Sequence, residues 1–145
     1  MTSSPYKPVL TAQQLADFFV EAFPGQNSGA VQFVRVDPGV VELRQTPDET
    51  MLRPGGIVSG PTQMAIADRA AYAVILAHIG IVPMAVTSNL NMSFLRALPA
   101  KPFFAGAQLI KLGRRLATVD VRIWSDDPAI LAAQSTVTYA IPAET

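Results

Sequence analysis

Apolar positions along the first part of the chain follow helical spacing and then strand spacing. TAQQLADFFVEAF, at 11–23, has its apolar residues on one helical face, and Thr11 can cap that helix. AVQFVRV and VVELRQT, at 30–36 and 40–46, alternate like two strands joined across a DPG turn. The composition of PDETMLRPGGIVSGP, at 47–61, predicts a loop.

A longer helix and further strands complete the pattern. Residues 60–80 read as one almost uniformly apolar helix, and Pro61 suits a first turn, where its missing N–H is not needed. Beyond it, AVTSNLNMSFL, FFAGAQLIKLGRRLATVDVRIW and ILAAQSTVTYAI alternate like strands, and Gly113 divides the second run. We expect three or four antiparallel strands in meander, and an α+β fold in which a curved sheet wraps the central helix.

Asp68 is a carboxylate in the middle of that apolar helix. Its neighbours on the same helical face carry no positive charge, and Arg69, being adjacent in sequence, is expected to point elsewhere. An unpaired buried carboxylate costs several kcal/mol or has a raised pKa. Either another segment supplies a partner for Asp68, or the carboxylate is hydrated and takes part in chemistry. The same-face neighbours are Met64, Ala65, Ala71 and Tyr72.

Composition narrows the possible classes of protein. The 145 residues suit one domain, 1–145, and 11 basic residues balance 11 acidic ones, so no net field attracts nucleic acid or a membrane surface. No Cys and a single His make a metal site improbable. No signal peptide is apparent, and the longest uncharged apolar run is shorter than the roughly 20 residues that a bilayer requires. We therefore expect a soluble, cytoplasmic protein.

Four sequence segments, in this order, resemble those of a known family: GGIVSGPTQMAIAD, TSNLNMSFLRALPA, AGAQLIKLGRRLATVDVRIW and AAQSTVTYAI. They resemble the hotdog-fold thioesterases, in particular the PaaI-like and 4-hydroxybenzoyl-CoA thioesterase branch. The likeness covers roughly residues 30 to 141. It implies an acyl-CoA substrate, no separate cofactor, and a homodimer that pairs into a dimer of dimers.

Three positions match the family's catalytic pattern. Asp68 occupies the acidic position, Gly60 the first glycine before the helix, and Thr87 the Ser/Thr at the start of the next strand. Asp68 suits the role of base or nucleophile, and Gly60 can supply an oxyanion-binding N–H at a helix N-terminus. Thr87 is expected on the polar side of its strand, where it can position water or Asp68, or serve only as a strand residue.

Other positions depart from the family pattern. Ser59 stands where the family has His, Pro61 replaces the second glycine, and Arg53 replaces an Asn. We count Ser59 and Arg53 as substrate-binding candidates, and Arg53 can pair with Asp68 across an interface or fill the space of the Asn. These replacements also favour a second hypothesis, an acyl-CoA-binding hotdog protein without turnover. A hydratase is less favoured, because the one His lies ten residues after Asp68.

The length of the central helix bears on the assembly. Eight helical residues separate Gly60 from Asp68 by about 12 Å, so one thioester carbonyl cannot touch both in a single chain. A site that uses both must combine Gly60 of one subunit with Asp68 of another. The sequence therefore predicts catalysis in a dimer.

A basic cluster and several large side chains have less specific interpretations. In the family, the turn near KLGRR contacts the nucleotide end of CoA, although exposed basic residues at a hairpin are often only solvated. His78 is expected to be a packed residue near the helix end. Met64, Met92 and Phe94 can belong to the core or to an acyl pocket. The candidates of the turn are Lys111, Gly113, Arg114 and Arg115.

Overall fold

A computed structural model describes residues 4–24 and 31–143. Two helices, a large sheet and a small hairpin make up this part of the chain. In chain order the elements are α1 (Ala12–Ala22), β1 (Val31–Asp37), β2 (Val40–Gln45), a 3-10 turn (Glu49–Met51), β3 (Leu52–Arg53), β4 (Ile57–Val58), α2 (Gly60–Ile79), β5 (Val86–Phe94), β6 (Phe103–Leu112), β7 (Leu116–Trp124) and β8 (Ala133–Ala140).

The large sheet is antiparallel, has the strand order β1-β2-β6-β7-β8-β5, and curves around α2. Strands β6, β7 and β8 bury every second residue against the helix, which is the pattern of a sheet with one face on the core. The α+β fold with a wrapped central helix is therefore confirmed. The predicted meander is only partly right, since β5 pairs with β8 at the sheet edge and not with β6.

The position of β5 agrees with the exposure of its side chains. None of its residues is fully buried, which fits an edge, whereas a central strand of this sheet must bury alternate residues fully. The chain between β5 and β6 then crosses to the other half of the sheet, where β6 pairs with β2. This pairing joins β1 and β2 to β6, β7 and β8.

The predicted loop at 47–61 is wrong in detail, because it contains a 3-10 turn and the β3–β4 hairpin. Gly55 and Gly56, which join the two short strands, have φ of +101° and +72°, a conformation that favours glycine. The Val58 N–H donates to the Leu98 carbonyl at 2.9 Å. The hairpin thereby fixes the point at which α2 begins.

Both helix starts carry the caps that their sequences favour. Thr11 and Gln14 form a capping box at α1, and the Ser59 side chain accepts from the Thr62 N–H at α2. Near the other end of α2, His78 is buried, Gly39 N–H donates to its Nε2 at 2.9 Å, and its Nδ1 lies 2.7 Å from the Val74 carbonyl. The prediction that His78 is a packed residue is confirmed.

Candidate active site

The carboxylate of Asp68 is half-buried and is held by two hydroxyl groups from the sheet. Thr87 Oγ1 donates to Asp68 Oδ1 at 2.6 Å, and the Tyr139 hydroxyl donates to the same oxygen at 2.8 Å. Among residues 4–24 and 31–143, no donor bonds to Asp68 Oδ2. Another segment therefore supplies partners for Asp68, and these partners fix one oxygen while the other stays available.

A β-bulge brings Thr87 to this position. The pairing of β5 with β8 shifts register between Thr87 and Asn89, so that Thr87 opposes Tyr139 and Asn89 opposes Thr138. Directly opposed residues lie on the same face of a sheet, and the extra residue reverses the alternation on one side of the bulge. Thr87 therefore faces α2, where it contacts Asp68 as one of its expected roles requires, although its predicted position on the polar side of the strand is wrong.

Tyr139 is the site residue that the sequence did not reveal. Its side chain is 3% exposed, and its ring stacks on Tyr72 with centroids 5.7 Å apart. Burial raises the pKa of the Tyr139 hydroxyl, so it stays protonated and can donate. The alternation in β8 could place Tyr139 on the inward-facing side of the strand, but nothing local in the sequence links it to Asp68.

A cavity of about 200 Å³ opens beside Asp68. Arg69 lines it, with its guanidinium 5.6 Å from the centroid of the Phe23 ring. Burial lowers the pKa of Arg69, and the charge of Asp68 opposes that shift. In the described parts of the chain Arg69 forms no ion pair with Asp68, although both residues line the same cavity. The remaining lining residues are Phe23, Ala65, Tyr72 and Tyr139.

A second, larger groove of about 450 Å³ lies at the start of α2. Gly60 is the first residue of the helix, and no acceptor in the described parts of the chain takes its N–H. The ring of Phe94 lies 3.4 Å from the place that a Cβ on Gly60 would occupy. The other lining residues are Arg53, Ile57, Val58, Gln63, Leu95, Arg96, Ala97 and Leu98.

The two cavities share no lining residue. This agrees with the helical rise of about 12 Å between Gly60 and Asp68. Within a single chain the carboxylate and the free N–H therefore face different spaces.

The two residues that replace the family's polar side chains have different surroundings. The Ser59 hydroxyl lies 2.9 Å from Thr62 Oγ1 and caps α2, and Ser59 does not line the Gly60 groove. Arg53 is exposed, donates through Nε to the Pro54 carbonyl at 3.2 Å, and lines that groove. Within a single chain, Arg53 thus lies with Gly60 and away from the Asp68 cavity.

The KLGRR segment forms the tip of the β6–β7 hairpin. Gly113 N–H donates to the Leu116 carbonyl at 2.9 Å, and a Cβ at Gly113 would lie 2.9 Å from the same oxygen, so the turn requires glycine. Lys111, Arg114 and Arg115 are exposed there and line neither cavity. Since Ala117 pairs with Tyr139, the hairpin lies at the same end of the sheet as the Asp68 site.

Met64, Met92 and Phe94, which the sequence assigned to either the core or an acyl pocket, differ in their exposure. Met92 is partly buried against the core, whereas Met64 is 41% exposed and Phe94 is 51% exposed. Phe94 lines the Gly60 groove.

No three His, Asp or Glu side chains in the described parts of the chain form a group that could hold a metal ion. None of the helices there is long and apolar enough to cross a bilayer.

Comparison with known sequences identifies the family. The model of the thioesterase superfamily matches residues 55–132, which include α2, β5, β6 and β7. The chain belongs to this superfamily. It is also 29% identical, over 106 residues, to the "Putative esterase Ta0293" of Thermoplasma acidophilum, with 73% of this chain and 79% of that protein covered.

Comparison with solved structures gives the same fold. The crystal structure of a "putative thioesterase" from a Silicibacter species has a TM-score of 0.87 and 35% identity, with 99% of each chain covered. A mutant structure of the phenylacetic acid degradation protein PaaI from Thermus thermophilus has a TM-score of 0.69 and 26% identity, covering 87% of this chain and 100% of that one. The hotdog fold and the PaaI-like resemblance are confirmed.

Proposed function

We propose that this protein hydrolyses acyl-CoA thioesters at a site shared by two protomers. The observation that carries the proposal is the Asp68 carboxylate, which has one oxygen fixed by Thr87 and Tyr139 and the other available beside a cavity. A carboxylate held in this way is suited to act as a base or as a nucleophile. Release of free thiol from a panel of acyl-CoA esters, followed with a thiol-detecting reagent, tests the activity.

The chemistry requires two groups on the substrate carbonyl. The Gly60 N–H, together with the positive end of the α2 dipole, stabilises the negative charge that develops on the thioester oxygen. Asp68 of the other protomer either takes a proton from an attacking water or attacks the carbonyl carbon itself. In both routes the carbon–sulfur bond breaks, the thiol leaves, and water supplies the oxygen of the product acid.

Acyl-CoA binding without turnover is the alternative. It is favoured by the engagement of the Ser59 hydroxyl in the helix cap, since that position then supplies no free polar group in place of the family His. A protein that binds acyl-CoA but releases no thiol would support this alternative and contradict the hydrolase.

Tyr139→Phe is expected to lower kcat about tenfold, because one of the two hydrogen bonds that orient the Asp68 carboxylate is lost. The ring and its stacking on Tyr72 stay in place. Steady-state kinetics should show the lower kcat with KM nearly unchanged. A loss of folded protein cannot explain that result when kcat is calculated per folded enzyme molecule. Tyr72→Phe is the matched control, since the Tyr72 hydroxyl bonds to the Pro83 carbonyl and not to Asp68. Equal kinetics for wild type and Tyr139→Phe would contradict a positioning role.

Mixed dimers test the shared site directly. One subunit type lacks the carboxylate (Asp68→Asn) and the other lacks the N–H (Gly60→Pro), so each is expected to be inactive alone. In a mixed dimer, one of the two sites combines an intact Gly60 with an intact Asp68. Equal mixing and subunit exchange should restore about a quarter of wild-type activity, since about half of the dimers are mixed and half of their sites are intact.

The comparison requires that both variants fold and exchange subunits, which sedimentation and differently tagged chains can show. If verified mixed dimers remain inactive, the shared site is excluded. A folded, fully active monomer at micromolar concentration would exclude it as well.

The β6–β7 hairpin is proposed to bind the phosphates of CoA. Reversing the charge of Arg114 or Arg115 is expected to raise KM for CoA esters about tenfold and to leave a small non-CoA thioester unaffected. Arg44→Glu provides a control with the same change of charge, because Arg44 pairs with Phe104 near the other end of β6. Equal effects on both kinds of substrate would remove the hairpin from the site.

A further inference from the structure

Gln63 is a buried polar side chain in the first turn of α2, and it has an unsatisfied oxygen. The residue is 4% exposed, and its Nε2 donates to the Val58 carbonyl at 3.3 Å. Its Oε1 is buried and has no partner among the described residues. Exchanging the amide oxygen and nitrogen would not satisfy the side chain, because the amide oxygen would then face the Val58 carbonyl, and both are acceptors. Buried acceptors without a partner are rare, because each one costs free energy.

The unsatisfied side chain belongs to the groove of Gly60. Gln63 lines that groove, three residues further along α2, which is one turn and about 4.5 Å of helical rise. The other described lining residues are apolar or carry arginine side chains, so Gln63 has the one side-chain acceptor among them. An acceptor thus lies close to the N–H proposed to hold the thioester oxygen.

We infer that Gln63 determines specificity by accepting a hydrogen bond from a donor that lies a few bonds from the thioester carbonyl. This inference rests on the proposed function. Two parts of a substrate can provide such a donor: a hydroxyl group on carbon 3 of the acyl chain, or the amide N–H three bonds from sulfur in the pantetheine arm.

Access to the acceptor requires a side chain to move. Gln63 Oε1 is enclosed in the free protomer, and the half-exposed ring of Phe94 lies over Gly60 in the same groove. Phe94 is the side chain that we expect to shift when a thioester enters. Once water is excluded, a substrate without the donor leaves the oxygen unpaired, whereas a substrate with the donor satisfies it.

Two matched pairs of substrates separate the two sources of the donor. The first pair is the 3-hydroxybutyryl and butyryl thioesters of N-acetylcysteamine, which differ in the acyl hydroxyl. The second pair is the butyryl thioester of N-acetylcysteamine and its ketone analogue, in which CH₂ replaces the amide N–H. Wild-type protein is expected to prefer the donor-bearing member of one pair by about tenfold or more in kcat/KM. The pair that shows the preference identifies the source.

Gln63→Met keeps the length of the side chain and removes its amide, so it is expected to abolish that preference. Gln134→Met is the matched control, since the Gln134 amide donates to Asp120 at 2.7 Å and does not line the groove; it should keep the wild-type ratio. Gln63→Asn, which withdraws the amide by one CH₂, provides a second variant if the first fails to fold.

Three results are decisive. Equal kcat/KM within both pairs for wild-type protein would overturn the inference while leaving the hydrolase intact, and this measurement needs no variant. A preference that persists in Gln63→Met would also overturn it. No hydrolysis of any of the three thioesters would contradict the proposed function and remove this inference with it.

Discussion

Asp68→Asn is expected to lower kcat by about 100-fold or more, the scale for losing a general base or nucleophile. The amide is nearly isosteric with the carboxylate, and its Oδ1 can still accept from Thr87 and Tyr139. Stability should therefore hold or rise, as it often does when a functional group is replaced. Melting temperature and kcat, measured on the same preparation, test both parts of the prediction.

A purely structural carboxylate would give the opposite result. Loss of its hydrogen bonds would lower the free energy of unfolding by about 1–3 kcal/mol, and hydrolysis would fall only as far as folding does. Asp120→Asn is a matched control, because Asp120 also accepts two side-chain hydrogen bonds but lies in neither cavity. An Asp68→Asn protein that melts earlier and retains near-normal turnover per folded molecule would end the catalytic assignment.

Gly60→Pro is expected to lower kcat by about 100- to 1000-fold, the range for removing one oxyanion-hole donor. Proline deletes the backbone N–H and is well tolerated as the first residue of a helix. The preceding residue, Ser59, is already extended, with φ −71° and ψ 155°, as proline requires. Kinetics with a good thioester substrate, together with a circular-dichroism melt, provide the measurement.

Gly60→Ala separates the N–H from the side chain at the same position. Alanine keeps the donor, and its Cβ would lie 3.4 Å from the Phe94 ring, an ordinary van der Waals contact. We expect Gly60→Ala to keep kcat within a few-fold of wild type, the modest effect of a small packing change. If alanine and proline reduce kcat equally, crowding of the groove and not the lost N–H explains the effect.

Much of the fold follows from the spacing of apolar residues. The long central helix, the first strand pair and the break at Gly113 were predicted because each element has a periodic pattern of its own. The hairpin within 47–61 was missed because strands of two residues are too short to show a period. The edge position of β5 was missed because alternation shows which face of a strand is buried, but not which strand lies beside it.

The candidate site shows the same division between local and long-range information. Asp68 could be found as a charge in an apolar helix, and Gly60 by its match to the first glycine of the family pattern. Tyr139 could not, because its bond to Asp68 joins residues 71 positions apart, and no local pattern records such a contact. Gln63 was missed for a related reason, since an unsatisfied oxygen is visible only when every surrounding atom is in place.

The sequence by itself determined the α+β class, the central helix and the presence of one acidic group that needed partners, because these depend on local spacing and residue type. The tertiary structure decided which hydroxyls hold that group and which of its oxygens stays available. It did so through the bulge at Thr87, which one extra residue creates and which turns the threonine toward the helix. Strand neighbours and register arise from pairing between distant segments, and so they are decided only when the whole sheet assembles.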